Sequence, residues 1–291
     1  EILFPQVETD LSVVWDHEVD LQSEWYYGWD LKDDSLWGSL GYPTPLRFEV
    51  RRYYKGEDLY AKHDNVDAFT TSTNKFRRYF QFGYYDMLFY SDIDSKDGTQ
   101  VLVMNETLDS ITATTTGTRG ISRSILDKSR SANDSTGAIG LLNQPEIFSG
   151  AYPENIYISR DLSDYEYDPL ENVYIKHLEA TLRPLVYIYL VQFILYNNED
   201  GKIKGINGNA ALSSMASSTN VNTGHTSYRP ALVYFNTRMK KDIMVKDKKC
   251  DIIGGKLTTF GLCDNEPFTR SGALYTGSRS NLKNYLYYDH L

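Results

Sequence analysis

Arg183-Pro184-Leu185-Val186-Tyr187-Ile188-Tyr189-Leu190-Val191-Gln192-Phe193-Ile194-Leu195-Tyr196 is an almost unbroken apolar run, closed on one side by Pro184 and on the other by Asn197-Asn198-Glu199-Asp200-Gly201. A helix that crosses a bilayer needs ~20 apolar residues, and this run is shorter. Its Val, Ile, Tyr and Phe, with proline only at the start and glycine in the turn that follows, mark a β-strand. Successive strand side chains point to opposite faces. Leu185, Tyr187, Tyr189, Val191, Phe193 and Leu195 then share one face, and Val186, Ile188, Leu190, Ile194 and Tyr196 the other. Both faces need cover, so the run is expected to be the central strand of a sandwich. The fold class is read as all-β.

Downstream, Asn198-Glu199-Asp200-Gly201 is a hairpin signal, and residues 202–206 are expected to pair back on the central strand. Residues 207–224 are small and polar, and Ala210-Ala211-Leu212-Ser213-Ser214-Met215-Ala216 suggests one or two helical turns. Residues 231–235, 256–262 and 283–288 complete the strands, and Gly254-Gly255 reads as a turn. Upstream, residues 172–180 alternate and feed the central strand. The acidic residues 161–171, with Pro169, read as a linker.

The first half repeats the strand pattern. Val7, Thr9, Leu11, Val13 and Trp15 alternate as one face of a strand, residues 46–54 alternate again, and residues 78–82, 84–90 and 155–159 read as further strands. Ser91-Asp92-Ile93-Asp94-Ser95-Lys96-Asp97-Gly98-Thr99 lacks glycine at the sixth position that an EF-hand loop needs, so it reads as a solvated hairpin turn. Residues 107–140 are rich in Ser, Thr, Gly and Arg and poor in aromatics, which predicts a long surface excursion dispensable for folding from Leu108 to Gly140. At 291 residues the chain exceeds the usual size of one core. Two domains are expected: an N-terminal β-sandwich over 1–168 with the long Ser/Thr-rich loop, and a C-terminal β-sandwich over 169–291.

A net charge of −9 argues against a nucleic acid or an anionic membrane surface as partner. Arg51-Arg52 and Arg77-Arg78 are read as solvated strand ends. The two cysteines, Cys250 and Cys263, have no zinc-ligand spacing. A bridge between them is left open, because a turn at Gly254-Gly255 would set Cys250 opposite Thr259 rather than Cys263. The five histidines are scattered, and no metalloprotease, nucleophile-elbow or phosphate-loop motif occurs. No catalytic residue, metal ligand or cofactor is assigned, and the chain is read as a non-enzyme. One group of residues could hold a ligand: Trp25, Trp29, Trp37 and Tyr27, near Asp30, Asp33 and Asp34. Flat aromatic faces with carboxylate acceptors suit sugars, although tryptophans more often pin a loop by burial.

The central run, Gly208-Asn209-Ala210-Ala211-Leu212-Ser213-Ser214-Met215-Ala216, Gly224-His225-Thr226-Ser227 and Thr258-Thr259-Phe260-Gly261-Leu262 together resemble the second domain of fimbrillin-like surface lipoproteins of Bacteroidota. The nearest branch is related to fimbrial anchor and accessory subunits. Val13-Val14-Trp15-Asp16, Gly83-Tyr84-Tyr85-Asp86 and Gln144-Pro145-Glu146 extend the resemblance over most of the chain. It implies two tandem transthyretin-like sandwiches, export, and an outer-membrane or fimbrial location held by a lipid anchor outside the given chain. It also implies fimbrial or other surface subunits as partners through strand addition, with host or dietary glycans as further candidates. The function so implied is structural or adhesive; the alternative is a surface carbohydrate-binding module that uses the Trp-rich segment.

Overall fold

The structure is a computed structural model that describes residues 4–13, 45–61, 65–91, 102–107, 110–115, 139–141, 148–198, 200, 203, 207–221, 226, 230–261 and 286–290. These residues form strands and one turn of 3-10 helix, Leu162–Asp164. In chain order the strands are β1 (Gln6–Val13), β2 (Phe48–Gly56), β3 (Asn65–Thr71), β4 (Lys75–Tyr79), β5 (Gly83–Ser91), β6 (Leu102–Thr107), β7 (Ser110–Thr115), β8 (Ile139–Leu141) and β9 (Ser149–Ala151). There follow β10 (Ile156–Ile158), β11 (Glu166–Asp168), β12 (Val173–Pro184), β13 (Tyr187–Tyr196), β14 (Asn207–Ala216), β15 (Ser218–Asn220), β16 (Pro230–Val245), β17 (Lys248–Thr259) and β18 (Leu286–His290). The all-β expectation holds.

The first sheet runs β3-β2-β5-β9-β12-β1-β4, with β10 beside β5 and β11 beside β12. Its two outermost strands, β3 and β4, are consecutive in the chain, so the sheet curls back on itself around a shared interior. Val7 and Leu11 of β1, Phe48 and Val50 of β2, Met87 and Phe89 of β5, and Ala180 and Leu182 of β12 meet there in one buried cluster. The alternation of Val7, Thr9 and Leu11 puts all three inside, as expected, and leaves Asp10 and Ser12 in solvent.

The second sheet runs β13-β17-β16-β14-β18, with β8 parallel to β16. Ala210, Met215, Val233, Phe235 and Leu257 form its core, joined by Tyr189 and Val191. A third, three-stranded sheet runs β15-β7-β6. All three sheets meet in a further buried cluster that holds Tyr53, Leu88 and Tyr90 from the first, Ile111 and Ala113 from β7, and Leu185, Val186, Ala216 and Phe260 around the second.

Several expectations are corrected. The apolar run does form a strand, but among the described residues β13 stands at one margin of its sheet, with β17 as its partner. Its described side chains from Tyr187 to Leu195 are half-buried and Tyr196 is exposed. Composition reports that a strand wants cover; it does not say which neighbour provides it. Of residues 202–206, expected to pair back on the apolar run, all but Ile203 lie outside the described residues. β14 pairs with β16 and β18. The Ala210 to Ala216 segment is therefore strand and not helix. Gly254-Gly255 is no turn either, since both glycines lie inside β17. A side chain at 255 would put its Cβ 2.8 Å from the Asn236 carbonyl oxygen and from the Phe235 ring, and only glycine admits that approach.

The acidic segment expected as a linker is folded. Tyr165 is buried with its hydroxyl donating to the Ser159 carbonyl at 2.7 Å, and β11 pairs antiparallel with β12. The expected surface excursion contains β7, whose Ile111 and Ala113 are buried, and reaches into β8. Two strands also cross the boundary expected at Asp168: β12 lies in the first sheet, parallel to β1, and β8 lies in the second.

Candidate functional site

The inward-facing row of β2 begins apolar, with Phe48 and Val50, and ends polar, with Arg52 and Tyr54. Register then places Asp67 of β3 directly opposite Arg52, and Tyr85 of β5 opposite Tyr54. The end of β4 contributes Tyr79, Phe80 and Gln81. Together with Phe4 and Val66 these residues line a pocket of about 400 Å³ that opens to solvent. Its size falls in the range of small-molecule sites, roughly 300–1,000 Å³.

Arg52 is the centre of this pocket, and β3 and the end of β4 hold it. Its Nε donates to Asp67 Oδ2 at 3.0 Å, its Nη2 donates to the same oxygen, and its Nη1 donates to the Tyr79 carbonyl at 2.7 Å. The guanidinium also lies over the Phe80 ring, 4.7 Å from its centroid, an arrangement that favours the cation. The side chain is 15 % exposed. Arg52 is therefore no solvated strand end: a long apolar stem lets it extend the core row while its head finds a carboxylate.

Beneath it the aromatic residues fix one another. Tyr54 donates to the Phe82 carbonyl at 2.8 Å, and the Tyr85 hydroxyl accepts the Gln81 N–H at 3.0 Å. Tyr85 packs its ring against Tyr54 and Phe80 at centroid distances of 5.0 and 4.9 Å. Burial pushes the Tyr85 phenol upward, so it stays neutral at physiological pH. Gly83 makes this corner possible. Its φ is +127°, and a Cβ there would meet the Gly56 carbonyl oxygen at 2.4 Å. Phe4 and Tyr79 remain 40 % and 60 % exposed at the rim.

A second polar constellation lies on the opposite face of β1. Glu8 accepts from Lys75 Nζ at 2.9 Å and from Arg77 Nε at 2.6 Å, and His177 Nδ1 stands 3.4 Å away. Hydrogen bonds from Lys75 and Arg77 hold the Glu8 carboxyl down at about 2. Arg77 also reaches Glu171, Lys75 reaches Asp10, and His177 reaches Glu166. This network ties β4, β1 and β12 together. Among the described residues no group of three or more His, Cys, Asp or Glu is placed to hold a metal ion. Cys250 is buried with its thiol donating to the Ile243 carbonyl at 3.2 Å; Cys263 lies outside the described residues.

The ligand candidates Trp25, Trp29, Trp37 and Tyr27 also lie outside the described residues. The pocket that the structure does describe was missed in the sequence, since Arg52 and Asp67 are fifteen residues apart and meet only through the β2–β3 register. Opposite charges on facing positions of two consecutive strands were the available signal.

No sequence-family model and no curated protein matches the chain. Solved structures do. A candidate adhesin from Bacteroides ovatus superposes with a TM-score of 0.50 at 13 % identity, over 97 % of this chain and 76 % of that one. The two share a fold. A second candidate adhesin from the same species aligns at 0.47 and 11 % identity, over 98 % and 73 % of the two chains. The fimbrial anchor protein Mfa2 from Porphyromonas gingivalis aligns at 0.44 and 13 %, over 91 % and 75 %.

Proposed function

We propose that this chain is a non-enzymatic, structural or adhesive protein of a bacterial surface, a fimbrial anchor or accessory subunit. The observation that carries this reading is the shared fold with the Bacteroides ovatus candidate adhesin along nearly the whole chain. Two of the motifs that resemble fimbrillin-like lipoproteins lie on strands that build this fold: Gly83 to Asp86 opens β5, and Ala210 to Ala216 forms the C-terminal part of β14. The chain then comprises two sandwich-like units of transthyretin type, divided in outline at residue 168, with β8 and β12 exchanged between them.

On this reading the partners are other surface subunits, which add a strand at a margin of the second sheet, beside β13 or β18. Outer-membrane attachment through a lipid belongs to the same proposal. The test is surface biotinylation and immunogold labelling of cells that express the native gene, followed by its deletion. Labelling on the surface, with loss of fimbriae or of cell adhesion on deletion, is the expected result. A protein that stays inaccessible on intact cells overturns the reading.

A further inference from the structure

The Arg52–Asp67 pocket combines features that a packing role alone does not require. Phe4 and Tyr79 stand wet at a concave rim, where large rings gain most from being covered. Among the described residues, Arg52 commits three of its five N–H donors, and both bonds to Asp67 fall on the one oxygen, Oδ2. Asp67 Oδ1 takes no bond there, and the Asp67 side chain is 56 % exposed. The pocket thus presents a rigid donor next to an open acceptor, set between aromatic rings.

We infer that this pocket is a binding site for a neutral saccharide. Each sugar hydroxyl both donates and accepts, so two adjacent hydroxyls match the remaining Arg52 donors and Asp67 Oδ1 as a pair. The C–H face of the ring lies against Tyr79 or Phe4, and about 400 Å³ holds one or two sugar rings. A purely apolar guest would strip water from the donors and from the open carboxylate oxygen without replacing it, which is costly. An acidic sugar is disfavoured on charge grounds, since the Arg52 cation is already matched by Asp67 and a second carboxylate would lie beside the first. The inference rests on this pocket alone and does not depend on the surface role proposed above.

The test uses the full chain on a glycan array that carries neutral and sialylated glycans, followed by titration of the best neutral binder in solution. Three variants are compared: Tyr79→Ala, Asp67→Asn and Trp25→Ala. Binding to a neutral glycan, weakened at least about tenfold by Tyr79→Ala and by Asp67→Asn and unchanged in Trp25→Ala, is the expected result. Tyr79 is exposed enough that its loss should leave the melting temperature unchanged. If Asp67→Asn lowers that temperature, Tyr79→Ala decides alone. Absence of binding to every glycan on the array overturns the inference, as does a preference for sialylated glycans. Neutral binding lost in Trp25→Ala and kept in Tyr79→Ala overturns it too, and moves the site to the tryptophan segment.

Discussion

At Glu8 a single carboxylate links pH to stability. Its folded value of about 2 lies below the ordinary value of 4.5, so the ionised form is favoured in the folded state. The stabilisation is fully present above pH 4.5 and is lost as pH falls from 4.5 towards 2. Melting temperatures measured between pH 6 and 2 should fall over that window, and the fall should be shallower in Glu8→Gln, where Lys75 and Arg77 lose their anionic partner. Identical pH profiles for the two proteins would show that the network does not couple to folding. Gly255 makes the opposite kind of point, since here a missing side chain is what matters. Gly255→Val would drive carbon into the Asn236 carbonyl and the Phe235 ring, and overpacking of this sort costs about 1–3 kcal/mol. Chemical denaturation of the variant measures it. Read in sequence, Gly254-Gly255 is a turn by habit, because glycine permits turns and close approaches alike and only the neighbouring strand tells them apart.

Strand identity was largely legible in the sequence, and strand neighbours were not. Val7 to Val13 and Phe48 to Val50 alternate because one apolar row faces the interior, and that pattern survives in any sheet order; Met87 to Tyr90 is a continuous apolar run because both faces of β5 are covered. What remained hidden is pairing between distant segments. The eight-residue parallel pairing of β1 with β12 joins positions about 170 residues apart, and nothing in either segment names the other. The Arg52–Asp67 pocket was hidden for the same reason, at shorter range. β7 shows the complementary failure: a segment with few apolar residues still supplies Ile111 and Ala113 to a buried cluster, because what counts is where the few fall. Ile111→Ala should therefore cost about 2–5 kcal/mol, the usual range for emptying a buried aliphatic site. A denaturation midpoint unchanged in this variant would restore the expectation that residues 108–140 are dispensable.

Across the whole molecule, a line of aromatic rings connects the sheets. Tyr90 of β5 lies 6.4 Å from Phe148, and Phe148 lies 6.3 Å from Phe260, just beyond β17. Leu185 and Val186, the two residues between β12 and β13, are buried in the same cluster. The first and second sheets should accordingly unfold together. Differential scanning calorimetry of the intact chain is expected to show one transition, and Phe260→Ala should lower it as a unit by about 3–5 kcal/mol of stability. Two resolved transitions in the unmodified protein would show that the sheets are independent.

The parallel pairing of β1 with β12 also decides how this molecule carries a load. Traction applied between the start of β1 and the far end of β12, from which the chain passes through Leu185 and Val186 into β13, acts along the two strands in opposite directions. Eight registered residue pairs then resist in shear and must give way together. In the antiparallel β2–β3 pair, the facing residues Phe48 and Thr71 lie at one end, so pulling them apart opens the ladder one rung at a time. Single-molecule force spectroscopy should find a higher rupture force with handles at residues 4 and 184 than with handles at 48 and 71; equal forces would remove this reading. A tether built in this way holds hardest when it is pulled along its length.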